Sequence, residues 1–297
     1  MPPRRARRRL LPAVLAGLAV LATACSASSP APSAGPSSVS TEARDVALTV
    51  DGRARDYLLQ PALGLPDGER AALVVVLHQE GGTPEGIATE TALQALRRRG
   101  ATLAYPAGVD RSWDAGKCCG TSHTKGVVDI AFLDALLDDV ARRAPVDTDR
   151  RALVGYSSGG MLTYRYVCQR PGKLVAAVVV SGSLESDCGA SITTPDVLAV
   201  HGKLDGTIGL DQPRFIKALG LAPRPAVSSL GILARSAGCQ STPDTTEQAD
   251  VEVRQWVGCR GGSSVQALLV PDAGHGWATL DASRRTLDFL GDHLLAR

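Results

Sequence analysis

The chain has 297 residues, 44% of them hydrophobic and 21% charged, enough apolar material for a sizeable core. The five arginines of residues 1–24, a segment without acids, account for more than the whole net charge of +2 and leave −3 on the remainder. A domain with that balance has no electrostatic footprint for phosphate backbones, which excludes a nucleic-acid partner.

The N-terminus reads as a processing signal. Arg4, Arg5, Arg7, Arg8 and Arg9 form a basic region, Leu10–Ala22 an apolar one, and Ala22-Thr23-Ala24 closes it with small residues. The apolar run is too short to span a bilayer comfortably. Leu21-Ala22-Thr23-Ala24-Cys25 resembles a bacterial lipoprotein signal, with Ala22 where the usual leucine stands. Cys25 is therefore the candidate lipidation site and the membrane a partner through that anchor; ordinary cleavage after Ala24 is the alternative. Residues 25–41 are rich in Ser, Ala and Pro and read as a flexible tether. The expected location is outside the cell or on its surface, with residues 42–297 as the folded domain.

Along that domain, apolar β-rich runs alternate with helical patterns. Val46–Val50 and Arg55–Gln60 read as a hairpin around Asp51-Gly52. Ala72–His78 reads as a buried strand, followed by a helix near Pro84–Arg99 and a strand at Thr102–Tyr105. Ile130, Phe132, Leu133, Leu136, Leu137 and Val140 fall at helical spacing and predict a helix over Asp129–Arg143. Strand Arg151–Tyr156, helix Gly159–Gln169 and strands Leu174–Val180 and Val197–His201 follow. After a less regular stretch come strand Val265–Val270 and a helix over Leu280–Leu295. This alternation predicts the α/β class: a mostly parallel sheet of about eight strands, covered on both faces, in the α/β-hydrolase architecture. Only residues 181–195 separate the strand after the nucleophile helix from the next, too short for a large cap.

Ser157 lies in Gly155-Tyr156-Ser157-Ser158-Gly159, between a strand and a helix, where a sharp turn holds a serine hydroxyl proud of the sheet. Asp205 follows strand Val197–His201, and His275 follows strand Val265–Val270. Three loops, each past a strand end, supply nucleophile, acid and histidine in the chain order of α/β-hydrolases. A serine hydroxyl needs a base to take its proton, and that base needs an acid to fix its tautomer. Asp272, close to His275 in sequence, is the rival acid and reads better as a turn residue. The N–H of Ser158, with that of Gln79 or Glu80 in Leu77-His78-Gln79-Glu80-Gly81-Gly82, is the expected oxyanion hole. Trp113, Tyr156 and Trp277 are candidates to line the substrate site. His78 and His201 read as structural. No metal or other cofactor is expected, and the chain reads as a monomer acting on an ester, polymeric esters included.

Apart from Cys25, six cysteines remain: Cys118, Cys119, Cys168, Cys188, Cys239 and Cys259. An even number in an exported chain implies disulfides rather than a zinc site. Cys239 and Cys259 flank the polar excursion Gln240–Gln255 and are the expected pair, with Cys118 and Cys119 reaching separate partners in Cys168 and Cys188.

These segments together resemble the secreted polyhydroxybutyrate-depolymerase-type esterases, which overlap with feruloyl and acetyl-xylan esterases. The resemblance rests on Leu77 to Gly82, Tyr105 to Gly108, Ser112 to Gly120 (with Trp-Asp-Ala-Gly-Lys-Cys-Cys-Gly), Val128 to Leu133, Gly155 to Tyr166 with Cys168, His201 to Asp205, Cys239, Cys259 and Gly274-His275. It implies an exported serine esterase with Ser157, Asp205 and His275 as its triad, acting on 3-hydroxybutyrate-type polyester oligomers or acylated or feruloylated polysaccharide. Gln79 departs from the Leu-His-Gly-x-Gly-Gly pattern and is expected to narrow the hole or alter its backbone. A non-catalytic lipoprotein binding acyl or glycan ligands, or a serine peptidase of the same fold, are the alternative readings.

Overall fold

The computed structural model describes residues 40–296, apart from 218 and 250. The signal over 1–24, Cys25 and nearly all of the tether lie outside the described residues.

Strand β1 (Arg44–Val50) pairs antiparallel with β2 (Arg53–Gln60). Their turn residues, Asp51 and Gly52, have φ of 49° and 73°, as a tight hairpin with right-handed twist requires. The strands that follow are β3 (Ala71–Leu77), β4 (Ala101–Pro106), β5 (Val146–Tyr156), β6 (Ala176–Val180), β7 (Asp196–Gly202), β8 (Asp244–Gln248), β9 (Val251–Trp256) and β10 (Val265–Val270). They form one sheet in the order β1-β2-β4-β3-β5-β6-β7-β10-β9-β8. The block from β4 to β10 is parallel, and the outer strands on both sides are antiparallel. Among the described residues, the segment between β6 and β7 carries no helix or strand.

Helices cover both faces. On one, Phe132, Leu133 and Leu136 of α3 (Asp129–Arg143), Leu162 of α4 (Ser158–Gln169) and Leu230 of α5 (Ala226–Ala237) pack on β3, β5 and β7. On the other, Ile87 of α1 (Pro84–Thr91) and Leu290 of α6 (Ala282–Leu290) close a second layer with Leu93 and Leu96. A five-residue helix, Gly120–Thr124, precedes α3. All seven residues of β3 are buried, because side chains on both of its faces meet helices.

The structure differs from the sequence expectations in three places. The sheet has ten strands, since the polar excursion Gln240–Gln255 folds as the β8–β9 hairpin rather than a loop. Every residue of β8, Asp-Thr-Thr-Glu-Gln, is exposed, so no apolar alternation marks it. Its charges suit an edge that must not recruit another strand. The expected helix over 84–99 breaks at Ala92 (φ 51°) and continues as a tight turn over Leu93–Arg99, and the last helix starts only after Asp281 (φ 46°).

The third difference concerns the cysteines. Cys118 and Cys119 are joined to each other, not to Cys168 and Cys188, which form their own bond. The reason is placement along α4. Cys118 and Cys119 sit against Met161 in its first turn, with sulfur–sulfur distances of 3.7 and 3.5 Å. Cys168 lies seven residues on, about 10 Å along the helix axis. Cys239 is bonded to Cys259 and pins α5 to the hairpin. Cys168–Cys188 ties α4 to the loop after β6 across 20 residues. Replacing both by Ser lowers the unfolding free energy by about 3 kcal/mol, read from urea unfolding with midpoint and m-value fitted together, m rising as the unfolded chain loses its cross-link.

Candidate active site

Strand β5 ends at Tyr156 and α4 begins at Ser158, so Ser157 makes the turn alone. Its backbone sits at φ 54°, ψ −116°, a region that residues with a side chain avoid. Two hydrogen bonds hold it there. Ser157 N–H donates to the Val180 carbonyl at 2.9 Å, and its own carbonyl accepts from Met161 N–H at 3.0 Å. Gly159 allows the turn to press against the end of β3: a Cβ on it would lie 2.5 Å from the Leu77 carbonyl oxygen and 2.6 Å from that of His78. Only glycine fits that approach.

His275 bridges the other two. Its Nε2 is 2.9 Å from Ser157 Oγ, and its Nδ1 is 2.8 Å from Asp205 Oδ2. Asp205 is 5% exposed, and its Oδ1 accepts from the N–H groups of Thr207 and Ile208, each at 2.8 Å. Burial alone pushes this carboxyl up. The hydrogen bond and charge of His275, with His201 and the Ile208 N–H, outweigh it and hold Asp205 below the usual carboxylate range. Asp205 is therefore ionised and fixes the proton of His275 on Nδ1, leaving Nε2 free to accept one from the serine. His201 shares this corner: its Nε2 donates to the Ile208 carbonyl at 2.9 Å and lies 3.4 Å from Asp205 Oδ2. Burial pushes its own titration down. From the strand side, Tyr156 O–H donates to the His275 carbonyl at 3.1 Å.

The loop after β3 is tied back by its carbonyls. Gln79 O accepts from His78 Nδ1 at 2.7 Å and from Gly82 N–H at 2.9 Å, and His78 O accepts from the Trp113 indole at 2.8 Å. His78 Nε2 in turn accepts from Gly108 N–H at 3.0 Å, so this imidazole is neutral with its proton on Nδ1. The N–H groups of Gln79 and Glu80 have no acceptor among the described residues. That of Ser158, in the first turn of α4, has no intrahelical one.

The structure thus brings Ser157, Asp205 and His275 together, and Gly159 sets the Gln79–Glu80 loop beside Ser158. Asp272 makes no hydrogen bond to His275. The three aromatic candidates do not line the site. Trp113 is 0% and Trp277 1% exposed, and their indole N–H groups serve His78 O and Ser283 Oγ at 2.8 and 2.9 Å. Tyr156 is likewise buried, its ring 5.7 Å from that of His275 and 5.8 Å from that of Trp277. Trp113 and Tyr156 hold the backbones of the His78 and His275 loops, whereas Trp277 is anchored to Ser283 of α6. Glu80 turns its side chain inward against Gly120, where burial pushes the carboxyl up, so only its backbone faces the hole. Gln79 has no positive φ, and its side chain donates to Glu90 of α1 at 3.3 Å. His201 is structural, as its strand-end position suggests, whereas nothing in the sequence marks Tyr156 as a support of the His275 loop.

No family model matches the chain. A protein named putative esterase NocK, from Nocardia uniformis subsp. tsuyamanensis, is 32% identical over 200 residues, which cover 64% of this chain and 57% of that protein. The chain thus spans little more than half the length of that relative. A probable feruloyl esterase C of Aspergillus clavatus is 26% identical over 236 residues, 76% of this chain and 77% of its own. In sequence the chain is thus similar to proteins named esterase and feruloyl esterase. Among solved structures, the acetyl xylan esterase of Aspergillus awamori superposes with a TM-score of 0.61 over 80% of this chain and 94% of that one. At 17% identity that likeness is one of fold alone.

Two outcomes follow from this geometry. Gly159→Ala forces the turn away from the β3 loop while leaving the core intact. It lowers kcat/KM on a 4-nitrophenyl ester by roughly 100-fold, the cost of about 1 Å of misplacement, and lowers the melting temperature by a few degrees while the protein still folds. His78 is held neutral by burial, its pKa lowered to about 4, whereas the unfolded chain protonates it near 6.5. The unfolded state binds the extra proton, so stability is full above pH 6.5 and falls by roughly 3 kcal/mol as pH drops to 4. Melting curves across that range detect it, and His78→Gln flattens the slope.

Proposed function

We propose that the chain is an exported carboxylic-ester hydrolase that acts on acylated polysaccharide through an acyl-serine intermediate. The observation that carries this reading is His275 hydrogen-bonded on one side to Ser157 Oγ, at 2.9 Å, and on the other to Asp205, at 2.8 Å. The names of the feruloyl-esterase relatives support the substrate class, and the three disulfides support export. Cys25, as a lipidated N-terminus, would hold the domain at a membrane surface.

Chemistry at this site runs in two halves. Ser157 Oγ attacks the ester carbonyl carbon as its proton passes to His275 Nε2, and the carbonyl electrons move onto oxygen. The N–H of Ser158, with that of Gln79 or Glu80, receives the oxyanion, which Asp205 helps indirectly by stabilising the imidazolium. Collapse breaks the bond to the alcohol, which leaves with the proton from His275. Water then enters, gives its proton to His275 and attacks the acyl-serine, releasing the acid and restoring Ser157. Ester rather than amide turnover, and a substrate reaching the site past no cap, fit the bare connection between β6 and β7.

A fluorophosphonate probe labels the wild-type chain and not Ser157→Ala, and Ser157→Ala lowers kcat on acetyl and feruloyl esters by about 10⁴-fold or more. Asp205→Asn lowers kcat by about 10⁴-fold with KM little changed, because the wrong tautomer is held. Labelling of the Ser157→Ala protein at another residue would overturn the assignment. Preference for 3-hydroxybutyrate oligomers over acetylated or feruloylated saccharides would move the substrate class to polyesters.

A further inference from the structure

A groove of about 480 Å³ lies away from the triad, between the outer face of α5 and the β8–β9 hairpin. That volume falls within the range of small-molecule sites, about 300–1,000 Å³. Arg224, Ser228, Gly231 and Arg235 form one side, at helical spacing, and Pro243 and Trp256 close the other. Two arginines line it and no carboxylate does.

The two cations are set differently. Arg224 is fixed: its backbone N–H donates to Glu185 Oε1 at 2.7 Å, and its guanidinium donates to the Leu184 carbonyl. Leu184 and Glu185 follow β6, the strand whose Val180 carbonyl holds the Ser157 turn. Arg235 is exposed and folds back along the helix, its Nη1 lying 3.3 Å from where a Cβ on Gly231 would stand. Its guanidinium has no carboxylate partner among the described residues. The lack of a side chain at Gly231 is what lets that head lie over the middle of the groove. Folding back also turns the Arg235 head toward the N-terminal end of α5, which Arg224 precedes.

We propose that this groove binds a carboxylate-bearing saccharide, the acidic stretch of a polysaccharide whose acyl groups the triad removes. The choice of a saccharide rests on the function proposed above, whereas the need for a carboxylate comes from the arginines alone. Guanidinium forks match planar carboxylates, while Ser228 and the Pro243–Trp256 wall offer the hydroxyl and apolar contacts that sugar rings use.

The test is isothermal titration of the full chain carrying Ser157→Ala with a galacturonate trisaccharide and, in parallel, a neutral galactose trisaccharide. Binding is read without turnover, so the result stands whether or not Ser157 is a nucleophile. The acidic sugar is expected to bind at least tenfold more tightly than the neutral one. Arg235→Glu weakens it at least tenfold, and Gly231→Leu, which fills the groove and favours the helix, does likewise at an unchanged melting temperature. Equal affinity for the two sugars, no binding, or indifference to both substitutions overturns the proposal. Displacement by sodium sulfate at matched ionic strength as effective as by the sugar also overturns it, reducing the groove to a simple anion site.

Discussion

A side chain at residue 159 would collide with the carbonyl oxygens of Leu77 and His78, and the site is built around that contact. Strands β3 and β5 are parallel neighbours with Leu77 level with Gly155, so the loops leaving them start side by side. Neighbouring strands are about 4.8 Å apart, and a turn of backbone pressed directly on backbone keeps nearly that spacing beyond the sheet. The N–H groups of Ser158 and of Gln79–Glu80 are thereby held across a gap that no side-chain rotation can change. The same device recurs on the other side. Gly202, level with Val270 in the β7–β10 pair, packs its α-carbon against the Ala273 and Gly274 carbonyls and so fixes the acid loop to the histidine loop. Strand β6 lies between, and its last carbonyl receives Ser157 N–H. Preorganisation here resides in the backbone, the form of positioning that needs no reorganisation as charge develops.

Beneath the β3 loop a buried polar chain performs a second task. Arg55 of β2 pairs with Asp129 of α3 at 2.7 Å and lies over the Phe132 ring, 3.7 Å from its centroid. Asp129 also accepts from Asp114 N–H at 2.7 Å, which places the segment bearing Trp113, whose indole holds His78. Burial pushes the Asp129 carboxyl up, against the pull of Arg55 and the Asp114 N–H, and burial pushes Arg55 down. Desolvation dominates for both partners, so the pair contributes little net stability while its loss would leave a bare buried charge. Its contribution is orientation: it joins the N-terminal hairpin, α3 and the Trp113 loop in one register.

Much of this was legible in the sequence, for reasons that differ by element. The apolar run of β3 and the spacing of α3 point to buried elements because their whole environment is apolar. Ser157, Asp205 and His275 stand out because each follows such a run and is flanked by glycine or small residues. The β8–β9 hairpin was hidden, since an exposed edge strand has no inward face to imprint a pattern. Breaks at Ala92 and Asp281 carry no glycine or proline to announce them. Trp113 and Trp277 misled because whether a tryptophan packs or lines depends on where its N–H finds an acceptor. For Trp113 that acceptor is 35 residues away in the chain. Cys239–Cys259 pair as the excursion between them suggests, but the other four cysteines do not pair as expected, because sequence spacing does not reveal which turn of α4 a sulfur faces.

Gln79 shows how a departure from a motif can be absorbed. A glycine in this loop is needed where φ is positive, and in this chain that position is Gly81, at 75°. Gln79 keeps an ordinary φ, and its carbonyl takes both the His78 imidazole and Gly82 N–H. Those two donors turn the carbonyl away, and the planar peptide then directs the neighbouring N–H to the opposite side. The side chain leans toward Glu90 of α1, whose charge also acts on Tyr156. An extra amide therefore leaves the donor geometry of the hole unchanged and alters the wall beside it. By this reasoning residue 79 bears on the wall of the proposed ester site, while the proposed chemistry rests on the loop backbones and on Ser157, Asp205 and His275.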